Sequence, residues 1–243
     1  MNQWQSFLIA LQFLTTIPVR VSEPVSAKNI GQSLLYYPII GLIIGGLMLG
    51  FVWLLGEQSS WVIAILTLTL WITLTGGLHL DGLADSADAW LGGLGDKEKT
   101  LRIMKDPASG PIAVVVLFLV IAIKFIMLAE LIQHQHYLAI IMTVVLARTA
   151  IPILLLTTPY VRSNGLGTLL VENMPHRSVR LIISLVLFLS LLSIGLIALS
   201  IFFIVLLLLR YYMIKRLDGT TGDTAGAMLE LLETITLTTL VIF

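Results

Sequence analysis

The sequence predicts an all-α fold: a polytopic transmembrane helix bundle of six or seven spans, with a short interfacial helix at its N-terminus. Two observations carry this. Apolar residues make up 58% of the 243-residue chain and charged residues only 12%, with mean hydropathy +1.00. A soluble domain is nearer half apolar and a quarter charged. The excess apolar residues also fall in blocks long enough to cross a bilayer, separated by short polar segments. No polar stretch is long enough to fold alone, so residues 1–243 are expected to form one integral membrane domain.

Taken in order, residues 5–19 are apolar but short, and Pro18 ends them, which suits an interfacial helix. The first full span is read over 34–56. Its Gly41-x-x-x-Gly45 and Gly46-x-x-x-Gly50 spacings suit close helix packing. A second span covers 61–78, a third 111–132 and a fourth 137–158. The apolar run from Leu181 to Leu209 is too long for one ordinary span. A turn near Ser193–Gly195 would divide it into two crossings, and a single tilted helix would give six spans in all. A last apolar stretch covers 226–243.

Charge placement orients the bundle. Lys and Arg concentrate in the segments 79–110, 159–180 and 210–225, and the intervening turns at 57–60 and 134–136 have none. Basic segments favour the cytoplasm, so all three are expected on that side. The net charge of zero gives no global field for nucleic acid. The absence of Cys excludes disulfides, thiolate metal sites and Cys nucleophiles. No cleavable signal is read at the N-terminus, where Pro18 and Arg20 interrupt the first apolar stretch. No internal repeat is visible, which favours an enzyme over a transporter.

The densest chemistry lies in Gly76–Ala89. On a helix, Asp81, Asp85 and Asp88 stand at i, i+4 and i+7 and share one face. Three carboxylates on one stripe repel one another unless a cation lies between them, and hard oxygen ligands at this density suit Mg²⁺ or Mn²⁺. His79 lies just before them at the membrane end of the second span. Arg102 and Lys105 follow, beside the Ser109–Gly110 turn, and basic groups beside a metal site suit phosphate chemistry. Arg162 precedes a Gly-rich turn at 165–167. Arg216 and Asp223 flank a hydroxyl- and glycine-rich segment, where Asp223 either joins the site or caps the last helix. Lys124 and Glu130 lie inside the third span, where a structural pair, snorkelling and a functional role all stay open. Arg148, about two turns from the cytoplasmic end of the fourth span, reads as a substrate contact.

At these residues the sequence resembles the adenosylcobinamide-GDP ribazoletransferase (cobalamin synthase) family. The matching stretches are Phe13–Pro18, GGLHLDGLADSAD at 76–88, IMKDP within 102–110, the Pro159–Gly167 loop and TGDTAGA within 216–227. They run in the family's order over nearly the whole chain, and HLDGLAD is the most specific. The resemblance implies the step that closes the nucleotide loop of vitamin B12. A ribose hydroxyl of α-ribazole, or of its 5′-phosphate, attacks the phosphorus borne by cobinamide in adenosylcobinamide-GDP, and GMP leaves. It also implies Mg²⁺ as the metal.

On this reading Asp81, Asp85, Asp88 and Asp223 are metal ligands, and Asp88 and His79 are catalytic. Arg102, Lys105, Arg148, Arg162 and Arg216 bind substrate. The expected location is the cell inner membrane, in contact with lipid, with the site facing the cytoplasm. The sequence leaves a homo-oligomer open. The Asp spacing also looks like that of CDP-alcohol phosphotransferases, which make lipids, although the usual Asp-Gly-x-x-Ala-Arg opening is absent. A membrane transporter using the intramembrane charges is the remaining alternative.

Overall fold

The computed structural model describes residues 3–21, 24–163 and 165–243. Asn164, within the expected Arg162–Gly167 turn, lies outside the described residues. Helices account for most of what is described. The first is α1 (Gln3–Leu14), followed by α2 (Ala27–Ser33), which continues through a short 3₁₀ turn into α3 (Tyr37–Leu55). Then come α4 (Ser60–Thr75), α5 (Leu78–Gly92), α6 (Lys97–Ile103), α7 (Pro111–Gln133) and α8 (Tyr137–Thr157). The chain ends with α9 (Leu166–Glu172), α10 (His176–Leu217) and α11 (Gly222–Ile242). Five segments are long and apolar enough to cross a membrane, and the bent pair α4–α5 makes six.

Small residues set how closely the spans pack. A Cβ on Gly41 would come within 2.8 Å of the Val145 Cα, and one on Gly45 within 3.0 Å of the Ile141 Cα, so this pair lays α3 directly on α8. The expected second pair does not act this way: Gly46 and Gly50 have nothing within 4 Å of the same position. The large side chains that would face lipid are exposed, among them Phe118, Leu181, Phe188 and Leu192.

α10 is 42 residues long, but Gly195 inside it leaves helical geometry (φ 80°, ψ 174°), a conformation open to glycine and costly for other residues. Both arms of α10 return to Thr157. Arg210 Nε donates to the Thr157 hydroxyl at 3.2 Å, and His176 and Arg180 line a cleft together with the same Thr157. A straight helix would hold Arg180 and Arg210 about 45 Å apart. The chain therefore folds back at Gly195 into two arms, each of crossing length, as the sequence suggests.

The turn that matters most for the site lies between α4 and α5. Gly76 and Gly77 both adopt positive φ, and α5 leaves α4 at 87°. Thr16 holds the corner, donating its backbone N–H to the Leu74 carbonyl at 2.8 Å and its hydroxyl to the Thr73 carbonyl at 2.9 Å. α5 thus runs across the end of the bundle and not through it. Polar segments gather at that end. Lys97 pairs with Asp218 at 2.6 Å, Val161 N–H donates to the Thr220 carbonyl, and Thr220 N–H to the Pro159 carbonyl.

Candidate active site

The Asp stripe forms as its spacing predicts, on helix α5. α5 and α11 meet through glycine. A Cβ on Gly82 would lie 2.8 Å from the Asp223 carbonyl oxygen, and one on Gly226 would lie 3.3 Å from the His79 Cα. Asp223, more than a hundred residues away in sequence, is therefore held one residue from Asp81. It does not cap its helix. Thr221 does, exchanging hydrogen bonds with Thr224 in a capping box, which leaves the Asp223 carboxylate free. Asp223 pairs with Arg162 Nη2 at 2.5 Å. Arg162 is brought there by the short parallel pairing of 159–161 with 219–221, which Gly219 permits, since a Cβ there would strike the Pro159 carbonyl.

Asp81, His79, Lys105, Arg162 and Asp223 line one cavity of about 660 Å³. Asp85 stands behind Asp81. Burial, then the charges of Asp81 and Asp223, push its carboxyl up to about 6, and Arg162 opposes them. Asp81 is exposed and accepts no side-chain partner among the described residues. His79 is 3% exposed, and among the described residues neither ring nitrogen has a hydrogen-bond partner. Tyr160, which the residue-by-residue reading passed over, lines the same cavity, and its hydroxyl takes a backbone hydrogen bond from Gly222. Its only sequence signal is its place beside Arg162.

Asp88 has another partner. Its two oxygens accept the backbone N–H groups of Gly110 (2.5 Å) and Ala113 (3.0 Å), at the otherwise unpaired start of α7. It secures α7 to α5 with both oxygens and does not line the main cavity, which removes the geometric basis for its expected catalytic and metal-ligating roles.

Three of the five expected substrate contacts lie elsewhere. Arg102 is exposed on α6 and away from the cavity. Arg216 donates to the Trp90 carbonyl at 2.8 Å and the Thr100 hydroxyl at 3.0 Å and lies over the Trp90 ring, bracing α5 and α6 against α10. Arg148 is fully buried and pairs with Glu233. Lys124 does not pair with Glu130. It bridges Glu230 at 2.5 Å and Glu233, over the ring of Trp71.

The donor chemistry fits a divalent cation: Asp81, Asp85 and Asp223 are hard oxygen donors crowded together, with Arg162 as their neighbouring positive charge. Among the described residues no three His, Asp or Glu side chains are drawn into ligating geometry.

A helical membrane bundle whose polar end holds carboxylates opposite Arg and Lys in one cavity has the parts of a phosphoryl-transferring membrane enzyme. The comparisons with known proteins agree. The family model for cobalamin-5-phosphate synthase matches residues 6–241, and the chain belongs to that family. It is 50% identical over 228 residues to the adenosylcobinamide-GDP ribazoletransferase of Stutzerimonas stutzeri, covering 93% of each chain. It is 48% identical over 240 residues to the protein of that name from Pseudomonas fluorescens, covering 98% of this chain and 99% of the relative. No solved structure matches the chain. The family does not favour the lipid-synthase or transporter alternatives.

Proposed function

We propose that this protein joins the nucleotide loop of cobalamin, transferring adenosylcobinamide phosphate from adenosylcobinamide-GDP to α-ribazole or its 5′-phosphate with release of GMP. The observation that carries the reading is the convergence of Asp81, Asp223, Arg162, Lys105 and His79 on one cavity, from segments far apart in a chain of this family.

In the reaction the ribose oxygen forms a bond to the phosphorus borne by cobinamide. The bond from that phosphorus to the oxygen bridging to GMP breaks, and GMP departs with the electron pair. Arg162 and Lys105 bind the diphosphate oxygens and offset the charge that accumulates on the leaving group. Tyr160 borders the same space. His79, with both ring nitrogens unpartnered, accepts the hydrogen bond of the attacking hydroxyl and takes its proton at a ring nitrogen. Asp81, Asp85 and Asp223 would hold Mg²⁺, which when bound supplies further neutralisation of the diphosphate. Asp88 keeps α7 in place. The gathering of the basic segments at the same end supports a site facing the cytoplasm in the cell inner membrane.

Purified protein supplied with Mg²⁺ should release GMP from adenosylcobinamide-GDP only when α-ribazole or its phosphate is present. GMP release without acceptor, or transfer to a lipid alcohol instead, would overturn the assignment.

A further inference from the structure

The cavity has two unlike walls. α5, α11 and the 160–163 loop supply the charged wall. α1, α3, α8 and α9 supply an apolar one: Phe13 stacked on Tyr37 (ring centroids 6.4 Å apart, planes 28° apart), with Ile151, Leu155 and Leu170. Tyr37, Ile151, Leu155 and Leu170 belong to the main hydrophobic core. The Tyr37 hydroxyl is turned to Ser33, so this wall presents rings and aliphatic carbon without a free polar side chain. Phe13 is 36% exposed, although it belongs to a stretch that the phosphate chemistry leaves unused.

We propose that this wall is the subsite for the aromatic base of the acceptor nucleoside, with Phe13 as a specificity-determining residue. The inference rests on the ribazoletransferase reading above. Two bases could compete for the wall: the guanine of the donor and the dimethylbenzimidazole of α-ribazole. Guanine carries several hydrogen-bond donors and acceptors on its edge, and burying them against carbon leaves them unpaired at a cost. Dimethylbenzimidazole has two methyl groups and a single free ring nitrogen, so a dry aromatic wall suits it far better. A cavity of about 660 Å³ is of the size that encloses one drug-sized ligand, so the corrin ring stays outside it. With its base on the apolar wall, the acceptor's ribose is directed toward the charged wall.

Steady-state kinetics on Phe13→Ala and Phe13→Leu test this. Phe13→Ala should raise the KM for α-ribazole about ten-fold, the scale of a lost aromatic contact. Phe13→Leu should give a smaller rise, and the KM for adenosylcobinamide-GDP should stay within about two-fold in both. A rise confined to the KM for adenosylcobinamide-GDP would give the wall to guanine and overturn the proposal, as would unchanged values for both substrates. If Phe13→Ala fails to fold, Phe13→Leu carries the test. If the wild-type protein releases no GMP, the enzymatic reading itself fails, and calorimetry of α-ribazole with wild type and Phe13→Ala still decides the wall: equal affinity would overturn it.

Discussion

α11 carries two groups of acidic side chains that meet basic ones, and the two are built differently. Near its start, Asp223 joins Asp81 at a cavity, with Asp85 and Arg162 nearby, and Asp81 and Lys105 are exposed and have no side-chain partner among the described residues. About two to three turns along, Glu230 and Glu233 meet Lys124 and Arg148 with all four side chains buried, two acids balancing two bases. A closed, neutral knot inside a membrane bundle joins α7, α8 and α11. An open set with surplus carboxylate at a cavity is left available to a ligand. Charge within a hydrophobic chain is therefore not enough to mark a functional site, and what distinguishes the two groups is whether the charges are satisfied internally.

The strongest way to break this contrast is to remove a charge from each group. Asp81→Asn should reduce turnover by about a hundred-fold or more, the scale of losing one charge that faces the reacting phosphates, with the thermal midpoint unchanged. Wild-type rates at saturating Mg²⁺ would move the site away from α5. Lys124→Met leaves two buried carboxylates against Arg148 alone. It should destabilise the protein by about 3–5 kcal/mol in thermal or denaturant unfolding, while each folded molecule keeps its turnover within a few-fold. Next in size is the metal. Mg²⁺ at about a hundred times its dissociation constant should stabilise the wild type by about 2.7 kcal/mol. The shift should vanish in the Asp81→Asn/Asp85→Asn double variant, and a shift that persisted there would place the cation elsewhere. Smaller still, Arg216→Gln should lose about 1 kcal/mol with its hydrogen bonds to Trp90 and Thr100 and leave substrate KM values unchanged. Arg102→Gln should change neither rate nor stability, within about 0.5 kcal/mol.

Much of this was legible in the sequence where the signal is local. The i, i+4, i+7 stripe of α5, the Gly41/Gly45 contact and the break at Gly195 each depend on residues within a few turns of one another. The gathering of the basic segments at one end follows from the positive-inside rule. Arg148 was misread and Lys124 left open because their partners lie 85 and 106 residues away, and nothing in either helix names them. Glu130, six residues from Lys124, looked like the nearer partner but sits by His134 at the far end of α7. Asp88 shares its stripe with Asp81 and Asp85, and only the approach of the α7 start shows that its oxygens are taken. Arg216 and Arg102 read as phosphate contacts because a basic residue near an acidic motif is the same in sequence whether it faces a cavity, a tryptophan or water. Tyr160 was missed for the converse reason: a tyrosine before a loop carries no chemical signal until the 219–221 segment pairs beside it.

The most direct test compares two substitutions on one helix. Asp223→Asn and Glu233→Gln lie about 15 Å apart along α11. Measured side by side for turnover per folded molecule and for thermal midpoint, Asp223→Asn should lose most of its activity and none of its stability. Glu233→Gln should lose stability and retain its turnover. If Asp223→Asn instead lowers the melting point while the folded protein turns over normally, Asp223 is structural, and the cavity between α5 and α11 is not where the reaction occurs.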